Sequence, residues 1–274
     1  MTEPAARPKF YNNPPVVERV ISVYAEVPEE LFEERFDDWK TLVEAEYPVY
    51  EPLKEWLILV EEKEGIPLLD TARPELRITP RFSRKPSKNG FDWSVRCAAG
   101  QLTMNMHSGS GDGENRRYQH LRNEYEKWLP KWIEHFGVKK LTCLNLHYVN
   151  LLNHDTVPDF FSPDGGLLLN KLLTMFSSVP GEHECIIQPY DCKVAVKLRD
   201  RPDSTCLIQV SSMSELEHDV AVKVDFVVQT PLSLAETDAR SVLALLDWEH
   251  EHILNRFEAV FTPEVKASFK PESQ

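Results

Sequence analysis

The chain has no paired-cysteine signature, no long apolar run and none of the short catalytic motifs that announce a reaction. Its five cysteines, Cys97, Cys143, Cys185, Cys192 and Cys206, are odd in number and never spaced CxxC. Neither a disulfide framework nor a zinc ribbon follows from such spacing, and free thiols in a reducing compartment are the expectation. No stretch of 18 apolar residues occurs, so a membrane-spanning helix is not expected. Residues 1–13 are polar and proline-containing, without the apolar core of a secretory signal, and the expected location is cytoplasmic. There is no GxSxG elbow, no Gly-Lys-Ser/Thr phosphate loop and no HExxH pair. These absences point away from the common hydrolases, nucleotidases and metalloproteases.

Positive charge is also scarce. Against 44 acids stand 31 Lys and Arg, a formal net charge of −13. Polyanions are repelled by such a surface unless it concentrates a basic patch. The one basic stretch is residues 81–150, with 12 bases against 6 acids, or +6, inside an acidic protein.

Periodicity gives the architecture. Pro14-Pro15 favours extended backbone, and Val16–Ala25 reads as a strand. Pro28-Glu29-Glu30 opens a helix whose apolar stripe is Leu31, Phe32, Phe36, Trp39, Leu42 and Val43. Trp56–Val60 is a short apolar run. Leu76–Phe82 and Phe91–Met106 read as strands, the second breaking near Gly100. Between them Lys85–Gly90 carries an Asn-Gly hairpin signal. A long helix is expected over 114–136, bent or divided at Pro130 and capped by Gly137. A second strand, Leu141–Leu152, precedes a short helix over 165–179. Three strands follow, 184–198, 205–212 and 221–229, and then a last helix capped by Ser233 or Thr237. The same order thus appears twice. The expected fold is α+β, with two similar strand-helix-three strands-helix halves and a largely antiparallel sheet, or two sheets, covered by the long helices. The boundaries are a flexible arm over 1–13, a first half over 14–138 and a second over 139–274.

Several phrases carry a resemblance: Pro14-Pro15-Val16-Val17-Glu18 at the first strand, Tyr148-Val149-Asn150 on a central strand, Val224-Asp225-Phe226 late in the chain, and His252, Phe257 and Thr262-Pro263-Glu264 around the last helix. Together they resemble a sporadically distributed bacterial family of proteins of about 250 residues. No activity is assigned to that family, so the resemblance implies a set of positions (Glu18, Tyr148, Asn150, Asp225, His252) and not their roles. The chain departs from the family's pattern at His147, where Arg is usual.

The strongest local candidate for binding is Ser108-Gly109-Ser110-Gly111-Asp112-Gly113, followed by Arg116 and Arg117. Glycines let backbone N–H groups converge at a helix N-terminus, and the two arginines would complete an anion site. Asp112 and Glu114 oppose it, and a plain surface loop is the favoured alternative. His250 and His252 stand two apart on a helix and point away from each other, so one metal cannot readily take both. Asp247 and Glu251 share a helix face but make a weak pair. His183, Cys185 and Cys192 match no common zinc spacing. Asp225, between Val224 and Phe226, lies either on a wet face or buried with a partner. No metal, cofactor or catalytic residue is assigned.

Three readings follow. The first is a non-catalytic interaction or regulatory module with a protein partner or a second copy. The next is a small-ligand or nucleotide-binding protein, or an enzyme, using residues 108–113 with Arg116 and Arg117. The last is a nucleic-acid-binding saddle, which the charge disfavours.

Overall fold

The computed structural model describes residues 11, 14–63, 66–84, 86–87, 90–91, 93–107, 117–161, 168–176, 191–214, 220–233 and 238–270. In chain order the elements are β1 (Val16–Ala25), α1 (Glu29–Glu44), β2 (Val49–Lys63), β3 (Ile66–Ser83), β4 (Pro86–Ser87), β5 (Gly90–Phe91), β6 (Trp93–Ala98), β7 (Gln101–His107) and α2 (Tyr118–Phe136). Then come β8 (Leu141–Leu152), α3 (Leu169–Leu172), β9 (Asp191–Lys197), β10 (Thr205–Ser214), β11 (Val220–Pro231), α4 (Ala239–Val260) and α5 (Pro263–Ser268). Five helices thus accompany one nine-stranded antiparallel sheet of order β2-β3-β6-β7-β1-β8-β11-β10-β9. A single sheet therefore runs through both halves of the chain. The strands β4 and β5 form a separate small hairpin across the Asn-Gly position.

The centre of the sheet is the antiparallel pair β1 and β8, in register at Arg19–Tyr148, Ile21–Leu146 and Val23–Leu144. Because side chains alternate along a strand, these six share one face. Met104 lies beside Ile21, and Phe226 beside Tyr148, on that same face. Here α2 packs against β7 and β1, α4 packs against β11 and β8, and the two helices touch each other. Aromatic rings weld α1 to α2. Phe32 stacks on Phe136 at 5.2 Å between centroids, and Trp39 meets Trp128 edge-on at 5.8 Å.

Several details refine or depart from the sequence expectation. First, β2 spans 49–63, where only Trp56–Val60 stood out. Secondly, the strand expected over 91–106 does break near Gly100, which turns at φ +69, and its two parts, β6 and β7, give the sheet four strands between α1 and α2 where three were expected. Pro130 does not divide α2, which is continuous from Tyr118 to Phe136. The last helix is capped by Asp238, whose carboxylate accepts from the N–H groups of Arg240 and Ser241 at 2.9 and 3.0 Å. The helix expected over 165–179 is described only as α3 and a 3₁₀ turn at Thr174–Phe176.

The charge asymmetry of the chain has a structural outlet. Bases of the 81–150 segment pair with acids from outside it: Arg81 with Glu51, Lys127 with Glu46, Lys140 with Glu26, and Arg122 with Asp247. Arg84 is consumed locally. It donates to Glu124 at 2.7 Å and lies over the rings of Tyr47 and Trp93. Exposed pairs of this kind contribute little stability each, but they occupy the charges that a nucleic-acid patch would need.

Candidate functional site

A cleft of about 420 Å³ opens where the first and second halves of the chain meet on the helix face of the sheet. One wall comes from Tyr11, Pro14, Val16 and Arg19 at the start of β1 and from Arg117–Gln119 at the start of α2. The other comes from Tyr148 on β8 and from Asp247, His250, Glu251, Ile253, Leu254, Phe257 and Glu258 on α4. Its size is within the range of small-molecule sites.

Arg19 is the unusual residue at its floor. It stands in phase with Ile21 and Val23, so the strand's alternation carries a guanidinium toward the core, and only 6% of it is exposed. Its guanidinium sits 5.2 Å from the centre of the Tyr148 ring. It also reaches the Tyr148 hydroxyl, and burial pulls the arginine below its ordinary pKa. The Tyr148 hydroxyl is 2.8 Å from His250 Nδ1. Burial, with Arg19 nearby, pushes His250 down from 6.5 to about 4, while burial pushes the Tyr148 phenol well up. Both groups are therefore neutral near pH 7, and because Arg19 can only donate to the hydroxyl oxygen, we assign the phenolic proton to Nδ1 and the ring proton to Nε2. Tyr118 stacks on the imidazole at 3.8 Å with the planes 14° apart. The Tyr118 hydroxyl donates to Asp247 at 2.8 Å, and Arg122 donates to the same carboxylate oxygen at 2.7 Å. At the mouth, the Tyr11 ring packs on Phe257 and Phe269, and its hydroxyl donates to Glu258 at 2.7 Å. Lys266 also holds Glu258, at 3.0 Å.

The residues singled out from the sequence divide. Arg117 is brought to this cleft. It is the residue before α2, and its backbone N–H donates to His120 Nδ1 at 3.3 Å. Ser108, Gly109, Gly111, Gly113 and Arg116 lie outside the described residues. Arg81 and Arg84, which the sequence places near that loop, are absent from the cleft lining and belong to the ion pairs above.

Of the five positions that the resemblance singles out, Tyr148 lines the cleft and Glu18, Asn150, Asp225 and His252 do not, while Pro14, Val16 and Phe257 of the same phrases do. Asn150 is fully buried and pins β8 to β11 through Nδ2 to the Val224 carbonyl at 2.9 Å. Glu18 accepts from Asn105 on the opposite face. His252 shares Asp200 with Trp248 Nε1, at 3.2 and 2.7 Å, and so ties α4 to the turn before β10. Asp225 takes the buried alternative. It is 4% exposed and pairs with His147 Nε2 and Lys223 Nζ, each at 2.9 Å. These two partners hold its carboxyl below the usual range against the opposing effect of burial.

The face opposite the helices is polar and mixed in sign, with Glu18, Arg96, Asn105, His107, His147, Asp225 and Lys223 interleaved. Among the described residues this face is not uniformly basic, as a saddle for nucleic acid would need to be. Among the described residues no group of three or more His, Cys, Asp or Glu is arranged to hold a metal ion, and no helix is long and apolar enough to cross a membrane. Cys97, Cys143, Cys192 and Cys206 are free thiols.

Sequence reasoning passed over Arg19 and weighed His250 only as a metal ligand with His252. The signal was present in both cases. Arg19 interrupts the apolar phase of β1, and His250 falls in helical phase with Leu246, Ile253 and Phe257, all buried. A polar residue in an apolar phase is the informative exception. Comparisons with protein-family models, with curated proteins and with solved structures return no match.

Proposed function

We propose that the protein is a non-catalytic regulatory or interaction module that binds a small anionic ligand in the cleft between its two halves. The observation that carries this reading is Arg19, a nearly buried cation at the floor of a cleft of ligand size, beside Tyr148 and His250. A charge in such a place is weakly screened and acts strongly on whatever enters. The same geometry favours binding over acid–base chemistry. Tyr148 and His250 are engaged with each other, and burial moves each away from a pKa useful at neutral pH.

The duplication read in the sequence belongs to this proposal. β1 and β8 lie side by side in opposite directions at the centre of the sheet. Each is flanked by the last strand of its own half, β7 or β11. Each last strand leads to a long helix, α2 or α4, that packs back on it and so covers the sheet. Two unequal copies related in this way place the cleft at their seam. The resemblance to the bacterial family fits the same picture, since its opening phrase and its tyrosine both fall at the cleft.

Native mass spectrometry of the purified protein, with Leu254→Trp as a cleft-filling control, tests the reading. A small molecule retained by the wild-type chain and lost from a folded Leu254→Trp chain supports it. If no retained mass appears, and small-molecule extracts raise the melting temperature of both chains alike, the cleft is not a binding site.

A further inference from the structure

The chemistry of the cleft floor narrows the ligand, and the narrowing rests on the binding role just proposed. With the Tyr148 proton given to His250 Nδ1, the imidazole presents Nε2–H. The arginines carry only donors. Arg19, Arg117 and the Nε2–H of His250 thus line the cleft as donors, and an acceptor-only group is the chemical match to them. The opposite part of the lining is apolar: Val16, Ile253, Leu254 and Phe257, with the ring of Tyr11 over the mouth. The walls also bear three carboxylates, Asp247, Glu251 and Glu258. They oppose a doubly charged phosphate more than a single charge, and the planar guanidinium fork matches a planar carboxylate.

We infer that the ligand is an amphipathic monocarboxylate, its head held between Arg19 at the floor and Arg117 on the wall, and its aromatic or aliphatic body lying along Ile253, Leu254 and Phe257. A cleft of about 420 Å³ suits a small molecule as the ligand. Arg117 stands at an exposed helix start and is the safer of the two arginines to alter.

Titration calorimetry with 3-phenylpropionate, its neutral amide and phenyl phosphate tests the assignment. The carboxylate is expected to bind roughly tenfold or more tightly than the amide, the worth of a hydrogen bond to a charged group. Phenyl phosphate is expected to bind more weakly than the carboxylate. Arg117→Gln should remove most of the carboxylate's advantage while leaving the amide unchanged, and Leu254→Trp should abolish both. Equal binding of acid and amide, or tightest binding of the phosphate, overturns the head-group assignment, and so does failure of all three to bind at millimolar concentration. If the probes fail while native mass spectrometry still finds a retained molecule that Leu254→Trp releases, the carboxylate is wrong and the cleft remains a binding site.

Discussion

Tyr148 and His250 are joined by a 2.8 Å hydrogen bond from the middle strand pair to the last long helix. They lie 102 residues apart in the chain. The contact fixes the imidazole on one edge while Tyr118 fixes it on one face. Three separate elements, β8, α4 and the start of α2, are thereby locked around one neutral ring beside a buried arginine.

Replacing Tyr148 with Phe keeps the ring and removes the donor. Nδ1 of His250 is then left buried without its partner, and Arg19 loses the hydroxyl it reaches. Removing one partner of a buried hydrogen bond costs about 1–3 kcal/mol. Urea denaturation should show a loss of that order. A stability equal to wild type would mean that the contact contributes nothing.

His250 gives stability a pH dependence of known sign. Its ordinary value is 6.5 and burial lowers it to about 4. At pH 7 both the folded and unfolded chains hold it neutral. Between about 6.5 and 4 the unfolded chain binds a proton that the folded chain refuses, so stability falls as the solution is acidified through that window. The loss approaches about 3 kcal/mol at the lower end, with Arg19 opposing the added charge and Asp247 easing it. A His250→Gln chain, less stable at pH 7, should lose less on acidification. Parallel urea midpoints for the two chains from pH 7 to 4.5 would show that His250 does not titrate in this way.

How much of this could be read in advance depends on what carried the signal. Strands such as Leu141–Leu152 and helices such as α4 announce themselves because one face is apolar at a fixed period. β2 is barely audible. Val49–Lys63 contains Pro52 and is studded with Glu and Lys, and its partner is supplied by β3 and not by its own pattern. The cleft is harder still. Arg19, Arg117, Tyr148 and His250 come from four distant places in the chain. Only the adjacency of β1 and β8 and the return of α2 and α4 onto them bring those four together. Composition hinted at a basic middle segment, yet most of its described charges are spent on Glu46, Glu51, Glu26, Glu124 and Asp247. Of the residues of the anion-binding expectation, only Arg117 falls among the described residues, and it lines the cleft.

Glu249 opposes His250 in sign, one residue away. It is fully buried on α4, and the hydroxyl of Thr230 approaches its carboxyl without closing a hydrogen bond. Burial holds its pKa well above the ordinary carboxylate value, with Thr230 and Arg201 lowering it only in part. Above the ordinary value near 4.5 the unfolded chain releases a proton that the folded chain keeps, so stability falls as pH rises toward the folded value. Glu249→Gln removes that titration with little change of shape. It should leave stability nearly unchanged at pH 4.5 and raise it on the order of 1–2 kcal/mol by pH 8. Thermal melts across that range would refute this if the variant's advantage stayed constant or shrank.

Gly100 is required by a contact as well as by its dihedral angle. It turns β6 into β7 at φ +69, and its carbonyl accepts from the Ala25 N–H at 2.8 Å, closing the end of β1. A Cβ on Gly100 would lie 2.4 Å from the Ala25 carbonyl oxygen, a backbone atom that cannot swing aside. Gly137, which caps α2 at φ +59, is the natural comparison, because its nearest neighbour to an added Cβ is the end of the Arg35 side chain at 4.0 Å. Both positions charge an alanine for the left-handed backbone, about 1 kcal/mol. Gly100→Ala must in addition displace the end of the central strand or break the Ala25 bond, for a total of about 2–4 kcal/mol. Chemical denaturation of the two single variants separates these contributions. A clearly larger loss at Gly100 places the difference in the approach to Ala25, whereas equal losses would mean that the dihedral angle alone accounts for both glycines.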